Sequence, residues 1–132
     1  MEEAEVYIKA GLKEGRVNGK AALLNPLIKG EAYNCLNWYV DLHPEYRDWC
    51  NAVLMCEGYP PHDDNGDPFE LHHIGQLPDS PLAELTGGQH HDDGNFARLH
   101  KFDEYSEIER GEFDKERGRY WMARFEDFKD CY

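Results

Sequence analysis

Nowhere in the 132-residue chain is there a run of about 18 consecutive apolar residues, so no membrane-spanning helix is predicted and no membrane partner is expected. The opening Met1-Glu2-Glu3-Ala4-Glu5 lacks the positive charge that begins an export signal. The expectation from these two absences is a soluble protein, cytoplasmic as the chain stands. Cysteine is scarce: Cys35, Cys50, Cys56 and Cys131 form no Cys-x-x-Cys pair, which removes the usual zinc-ribbon pattern. Three of them sit in what read as apolar helix faces, so they are read as small buried hydrophobes in a reducing compartment, ahead of a disulfide or metal ligation. Basic charge is the largest deficit. The net charge is −13, and between residues 31 and 100 only Arg47 and Arg98 are basic. Proteins that grip a nucleic-acid backbone normally do so with Lys and Arg clusters. Any such charge here must come from the two ends of the chain or from a bound metal ion. Internal repeats and low-complexity tracts are also missing. What remains is enough apolar and aromatic material for one modest core, hence a single domain spanning 1–132.

Three parts are predicted within it. Residues 1–57 read as helical: one or two short helices in the first thirty residues, interrupted by Gly15 and Gly19, then helices over Glu31–Asp41 and Glu45–Cys56. Pro44 suits a first helical turn, and Gly58 a C-terminal stop. Tyr59 to Asp67 is a turn-rich connector in which Asn65-Gly66 favours a left-handed turn. Residues 58–101 then read as strand, strand and helix: Phe69 to Ile74 alternates as a half-buried strand ended by Gly75, Leu82 to Thr86 is a second short strand or extended run, and a helix begins at Asn95. Residues 102–132 form a helical tail, with Ser106 to Glu109 as a capping box and Tyr120, Trp121, Phe125 and Phe128 at helical spacing. The predicted class is α+β, mostly helical.

Histidine is concentrated where charge is not. Five of the seven histidines, His72, His73, His90, His91 and His100, fall within twenty-nine residues, the density expected when imidazoles converge on one metal ion and an activated water. Adjacent side chains of a regular strand point to opposite faces, so His72 and His73 are expected to divide labour, one on the metal and the other deprotonating water. Three ligands with an open fourth position would make the site catalytic, where a closed set of four would make it structural. His43 and His62, outside the cluster, are read as ordinary surface or core residues.

The stretch from Gly58 to His100 resembles the LHH branch of the HNH/endonuclease VII nucleases. The likeness is carried by Asp67-Pro68-Phe69-Glu70-Leu71-His72-His73-Ile74-Gly75-Gln76, by Ser80 to Thr86, and by Gly94-Asn95 and Leu99-His100; Ser106 to Trp121 is similar to the helical segment that follows the motif there. That branch is common as the C-terminal toxin module of bacterial polymorphic toxins. The resemblance implies a ββα-metal finger at 58–101 inside the otherwise helical domain. It gives His73 the role of general base, His72, His90 and His100 those of metal ligands, and Asn95 that of the residue orienting base and metal loop. Where the family has an acidic residue and one histidine, this chain has Gln89-His90-His91, so the ligand is either His90 or His91.

The expectation is therefore a metal-dependent endonuclease hydrolysing DNA phosphodiester bonds, with RNA as a second possible substrate. One divalent ion is implied; an imidazole-rich set accepts zinc, nickel and manganese, with magnesium the poorer match. Arg98 is the candidate phosphate contact, and Lys101, Arg110, Lys115, Arg117, Arg119 and Arg124 are candidates for backbone binding. As a toxin module the chain would be secreted and delivered as part of a larger protein and would have a cognate immunity protein, for which the acidic segment 31–67 is a docking face. The rival reading is a zinc-stabilised interaction module without turnover, for which the acidity is the best argument.

Overall fold

The computed structural model describes residues 2–35, 43–76, 80–91 and 110–129, with side chains over 4–35, 43–75, 80–89 and 115–129. At Val17-Asn18-Gly19-Lys20 the chain reverses on itself. Asn18 and Gly19 have φ of 54° and 79°, the pair of left-handed residues that a type I′ turn requires, and that turn has the twist of the strands it joins. The flanking strands are β1 (Lys13–Val17) and β2 (Lys20–Leu24), paired antiparallel with Val17 opposite Lys20. Of the first thirty residues, where one or two short helices are predicted, only the opening segment is helix, namely α1 (Glu2–Ala10). Gly11, with φ 70°, ends it: its amide reaches the Ile8 carbonyl and that of Leu12 the Tyr7 carbonyl, the two bonds of a Schellman stop. Gly15, expected to interrupt a helix, lies in β1, where a Cβ would come within 2.5 Å of Leu24 Cδ1.

The helix expected over Glu45–Cys56 is broken in two. A 3₁₀ turn at Pro44–Asp48 gives way to extended backbone at Trp49 and Cys50, and α2 covers Asn51–Cys56. The reason is a competing set of partners. The amides of Asn51 and Ala52 donate to the carbonyls of Ala32 and Gly30, which a helix continuing from Asp48 would have used internally. Gly58 stops α2 with φ 89°, as its position predicts. Of the helix expected over Glu31–Asp41, residues 31–35 are not helical and 36–42 lie outside the described residues.

Strand β3 (Glu70–His73) and strand β4 (Leu82–Leu85) fall where the alternation and the proline break put them. The sheet order is β1-β2-β4-β3, antiparallel within the hairpin and between β3 and β4, parallel between β2 and β4. The hairpin thus extends the sheet that carries the histidine pair. After β4 comes α3 (Gly87–His91). Thr86 starts it: its hydroxyl accepts from the Gln89 amide while Gln89 Oε1 accepts from the Thr86 amide, the reciprocal pair of a capping box. The last long element is α4 (Arg110–Arg124), followed by a 3₁₀ turn at Phe125–Asp127.

Directly opposed residues on paired strands share a face. Leu71 pairs with Glu84 and His73 with Leu82, while His72 pairs with Ala83. The first face packs on α2 and α4, in a core that includes Leu71, Leu82, Met55, Tyr120 and Trp121. The second packs on α1, through Val6, Tyr7, Ala83 and Leu85. Both faces of β4 are buried, so a small sheet carries two cores, and the two histidines of β3 enter different ones. Among the described residues no helix is long and apolar enough to cross a membrane.

Candidate functional site

His73 is the last residue of β3 and only 2 % exposed. Its Nε2 lies 2.7 Å from Glu116 Oε1 on α4, forty-three residues along the chain. A glutamate carboxylate can only accept, so Nε2 carries the hydrogen and donates it, and in the neutral ring the lone pair is left on Nδ1. The contact therefore determines which ring nitrogen is basic.

Glu116 is the first member of a stripe. Tyr120 and Arg124 follow at intervals of four, which puts all three on one side of the helix, and the other two are bound to Glu84 of β4. Glu84 is 0 % exposed. Its Oε2 accepts from the Tyr120 hydroxyl at 2.6 Å and from Arg124 Nε at 2.8 Å, and its Oε1 from the Asn25 amide at 2.7 Å and Arg124 Nη2 at 3.3 Å. A buried carboxylate tolerates that position because four donors replace its water. Burial, and then the adjacent Glu84 charge, push the Tyr120 hydroxyl pKa well up, so it stays a donor. Burial alone would lower the pKa of Arg124, but the hydrogen bonds and charge of Glu84 outweigh it and the net shift is upward.

His72, 4 % exposed, faces the other way, toward the α1 side. Helix α3 touches both α1 and β4, and a Cβ on its first residue, Gly87, would sit 3.5 Å from Glu70 Oε2; Glu70 lies two residues before His72 on the same face of β3. The backbone that carries His90 and His91 is thereby brought to the side of the sheet that His72 faces. Gln89 is held by the capping box and by Asn25 Nδ2 at 2.8 Å. An amide oxygen accepts as a carboxylate does, which accounts for glutamine at this place.

The expected site residues thus divide. His72 and His73 are brought to one strand and opposite faces, as a regular strand dictates. His90 lies in α3 with its side chain outside the described residues, and Asn95, Arg98 and His100 lie outside them altogether. Among the described residues there is no cluster of three metal-binding side chains. Arg124, counted among the cations for a nucleic-acid backbone, is corrected: it is buried on Glu84 and Asp127. Lys115, Arg117 and Arg119 do remain exposed. Glu116 and Glu84 were missed by sequence reasoning. A signal for Glu84 existed, since Leu82-Ala83-Glu84-Leu85 places one carboxylate in an apolar run buried on both faces.

The small α+β domain, with a His-His pair at the end of a strand, is consistent with the fold of the HNH/ENDO VII superfamily of nucleases. More narrowly, residues 50–127 match the family LHH, described as a nuclease of that superfamily with conserved LHH, and the chain belongs to it. The conserved triplet is Leu71-His72-His73. No curated protein and no solved structure matches the chain. The matched span runs from the residue before α2 to the 3₁₀ turn after α4; α1 and the hairpin lie outside it, although they supply half the strands of the sheet.

Proposed function

We propose that this nuclease is a metal-dependent endonuclease that hydrolyses DNA phosphodiester bonds, with His73 as its general base. The observation that supports this reading best is the 2.7 Å contact that holds His73 Nε2 on Glu116, because it leaves Nδ1 as the proton acceptor on a ring fixed at the end of the family's signature triplet. The donor set fits a divalent ion: imidazoles ligate zinc, nickel and manganese readily, and α3 brings the His90 segment to the face of His72. His72, His90 and His100 would hold the ion, His90 taking precedence over His91 because Gln89 occupies the place of the family's acidic residue. Held there, such an ion would supply Lewis-acid stabilisation of the negative charge that develops as the phosphodiester is cleaved.

His73 then takes a proton from water on Nδ1 as the water oxygen bonds to phosphorus. The phosphorus to 3′-oxygen bond breaks, and the 3′-oxygen leaves with the electron pair and takes a proton from solvent. Asn95 orients the base and the loop beside it, and Arg98 opposes the charge that develops on the phosphate. Because His73 is buried, the water it uses enters with the substrate. The exposed Lys115, Arg117 and Arg119 add a small, salt-sensitive backbone affinity. In a toxin setting the acidic segment 31–67 is the face for an immunity protein.

The test is plasmid nicking in several divalent ions, with single-stranded DNA and RNA beside it. Chelator should abolish cleavage and metal restore it. His73→Ala should lower the rate by about 10² to 10⁴ with the fold retained; undiminished cutting would remove the assignment of the base. Loss of fold in chelator with no cleavage in any metal would instead establish the zinc-stabilised interaction module.

A further inference from the structure

Once α4 is docked, Glu116 adds little to its attachment. The helix is already held by Tyr120 and Arg124 on the buried Glu84 and by Trp121, 1 % exposed in the core beneath it. Glu116 sits one helical turn before this anchor, is itself 27 % exposed, and aims its carboxylate at the ring of His73. A carboxylate used only to fasten a helix would be redundant here. One that reads a ring nitrogen would need just this arrangement, with a rigid helix setting its distance and an imidazole fixed in a strand.

From that placement we infer that Glu116 is a positioning residue, which holds His73 in the tautomer with hydrogen on Nε2 and the lone pair on Nδ1, and fixes the direction in which Nδ1 points. The inference rests on the reading of His73 as base. During the reaction the Nε2 hydrogen stays in place, donated to Glu116 throughout. The proton gained on Nδ1 is returned to solvent after the phosphodiester bond has broken, and the carboxylate gains and loses none.

Two measurements test it. In protein labelled with ¹⁵N at histidine, with the His73 signals assigned from their loss in His73→Ala, Nε2 of wild type should resonate as a hydrogen-bearing nitrogen and Nδ1 as a bare one. In Glu116→Ala that preference should collapse toward a mixture, while Glu116→Gln, whose amide oxygen still accepts, should keep it. In cleavage assays kcat should fall by about 10²-fold in Glu116→Ala and by less in Glu116→Gln, with KM unchanged, and the urea midpoint of both should stay close to wild type. An unchanged tautomer and unchanged kcat in Glu116→Ala, beside an inactive His73→Ala, overturn the role of Glu116 and leave the base standing. Full activity in His73→Ala overturns the base, and Glu116 with it. A large loss of stability in Glu116→Ala makes the contact a fastening and also overturns the inference.

Discussion

Two regions of the molecule bury an imidazole to the same depth and use it differently. His62, in the loop after α2, and His73, at the end of β3, are each 2 % exposed. The ring of His62 donates from Nδ1 to the carbonyl of Gly66, four residues on, at 3.0 Å, while its backbone amide and carbonyl are both held by Asn51. Everything it touches in these bonds is neutral, and the ring closes a turn in which Asp63 Oδ1 accepts from the amides of Asn65 and Asp67. The ring of His73 is bound instead to a charged group from a helix forty-three residues away. Burial alone does not distinguish the two. The partner does: a local carbonyl fixes a turn, whereas a distant carboxylate accepts from Nε2 and leaves the lone pair on Nδ1.

The largest effect that sharpens this contrast lies one step behind His73, at the anchor of α4. Replacing Glu84 by Ala strips Arg124 and Tyr120 of their acceptor and leaves a buried guanidinium whose remaining partners among the described residues are Asp127 and the ring of Phe128. Removing one partner of such a pair costs about 3–5 kcal/mol. Urea unfolding of Glu84→Ala should show that loss, together with reduced cleavage by whatever protein stays folded, since Glu116 rides on the same helix. If stability fell and the His73 tautomer did not change, the line from Glu84 through α4 to His73 would be broken and the two histidine sites would be more alike than proposed.

How much of this was legible in the chain follows from the range over which each feature is determined. The strand of His72 and His73, the stop at Gly58 and the left-handed Gly66 rest on residues within a turn or two of one another, and local chemistry was enough to read them. The hairpin at Asn18-Gly19 is equally local, yet the apolar Leu23 and Leu24 that follow fit a helix face as well as a strand, so the pattern there predicts helix with Gly19 as an interruption. The break at Trp49 and Cys50 had no local cause, since the carbonyls of Gly30 and Ala32 that compete for the helix amides come from another segment. The same holds for the site. The histidine triplet is a contiguous signal, whereas Glu116 stands among Lys115, Arg117 and Arg119 in a tail of mixed charges, and nothing nearby marks it as the residue that turns inward. Arg124 looked like its exposed neighbours for the same reason.

An intermediate effect tests the other side of the contrast. Asn51 is fully buried and bonds both backbone groups of His62 as well as the carbonyl of Lys29. Asn51→Ala leaves the His62 amide without its acceptor, while the carbonyls of His62 and Lys29 keep Asn34 Nδ2 and the Ala32 amide as donors; the cost is about 1–3 kcal/mol for an unsatisfied buried group. The loss should appear in the urea midpoint, while kcat at temperatures where the protein is folded should match wild type. A selective loss of kcat would show that the loop of His62 communicates with the site.

The smallest effect is the dependence of stability on pH at His62. Burial lowers its pKa from the ordinary 6.5, against the smaller raising effects of the Gly66 bond and of Asp63 and Asp67. Below about pH 6.5 the unfolded chain takes up a proton that the folded ring refuses, so the unfolded state binds more protons and stability falls as pH drops through that value; above it the contribution is flat. One proton sets a ceiling of about 1.4 kcal/mol per pH unit on the slope. Urea unfolding of wild type and His62→Asn at pH 7.5 and 5.5 isolates this share from that of the carboxylates, because both proteins carry the same acidic groups. Wild type should lose more stability over that interval than the variant. Equal losses would mean that the ring accepts its proton in place, and that its bond to a neutral carbonyl does not separate His62 from His73 as the hydrogen bonds suggest.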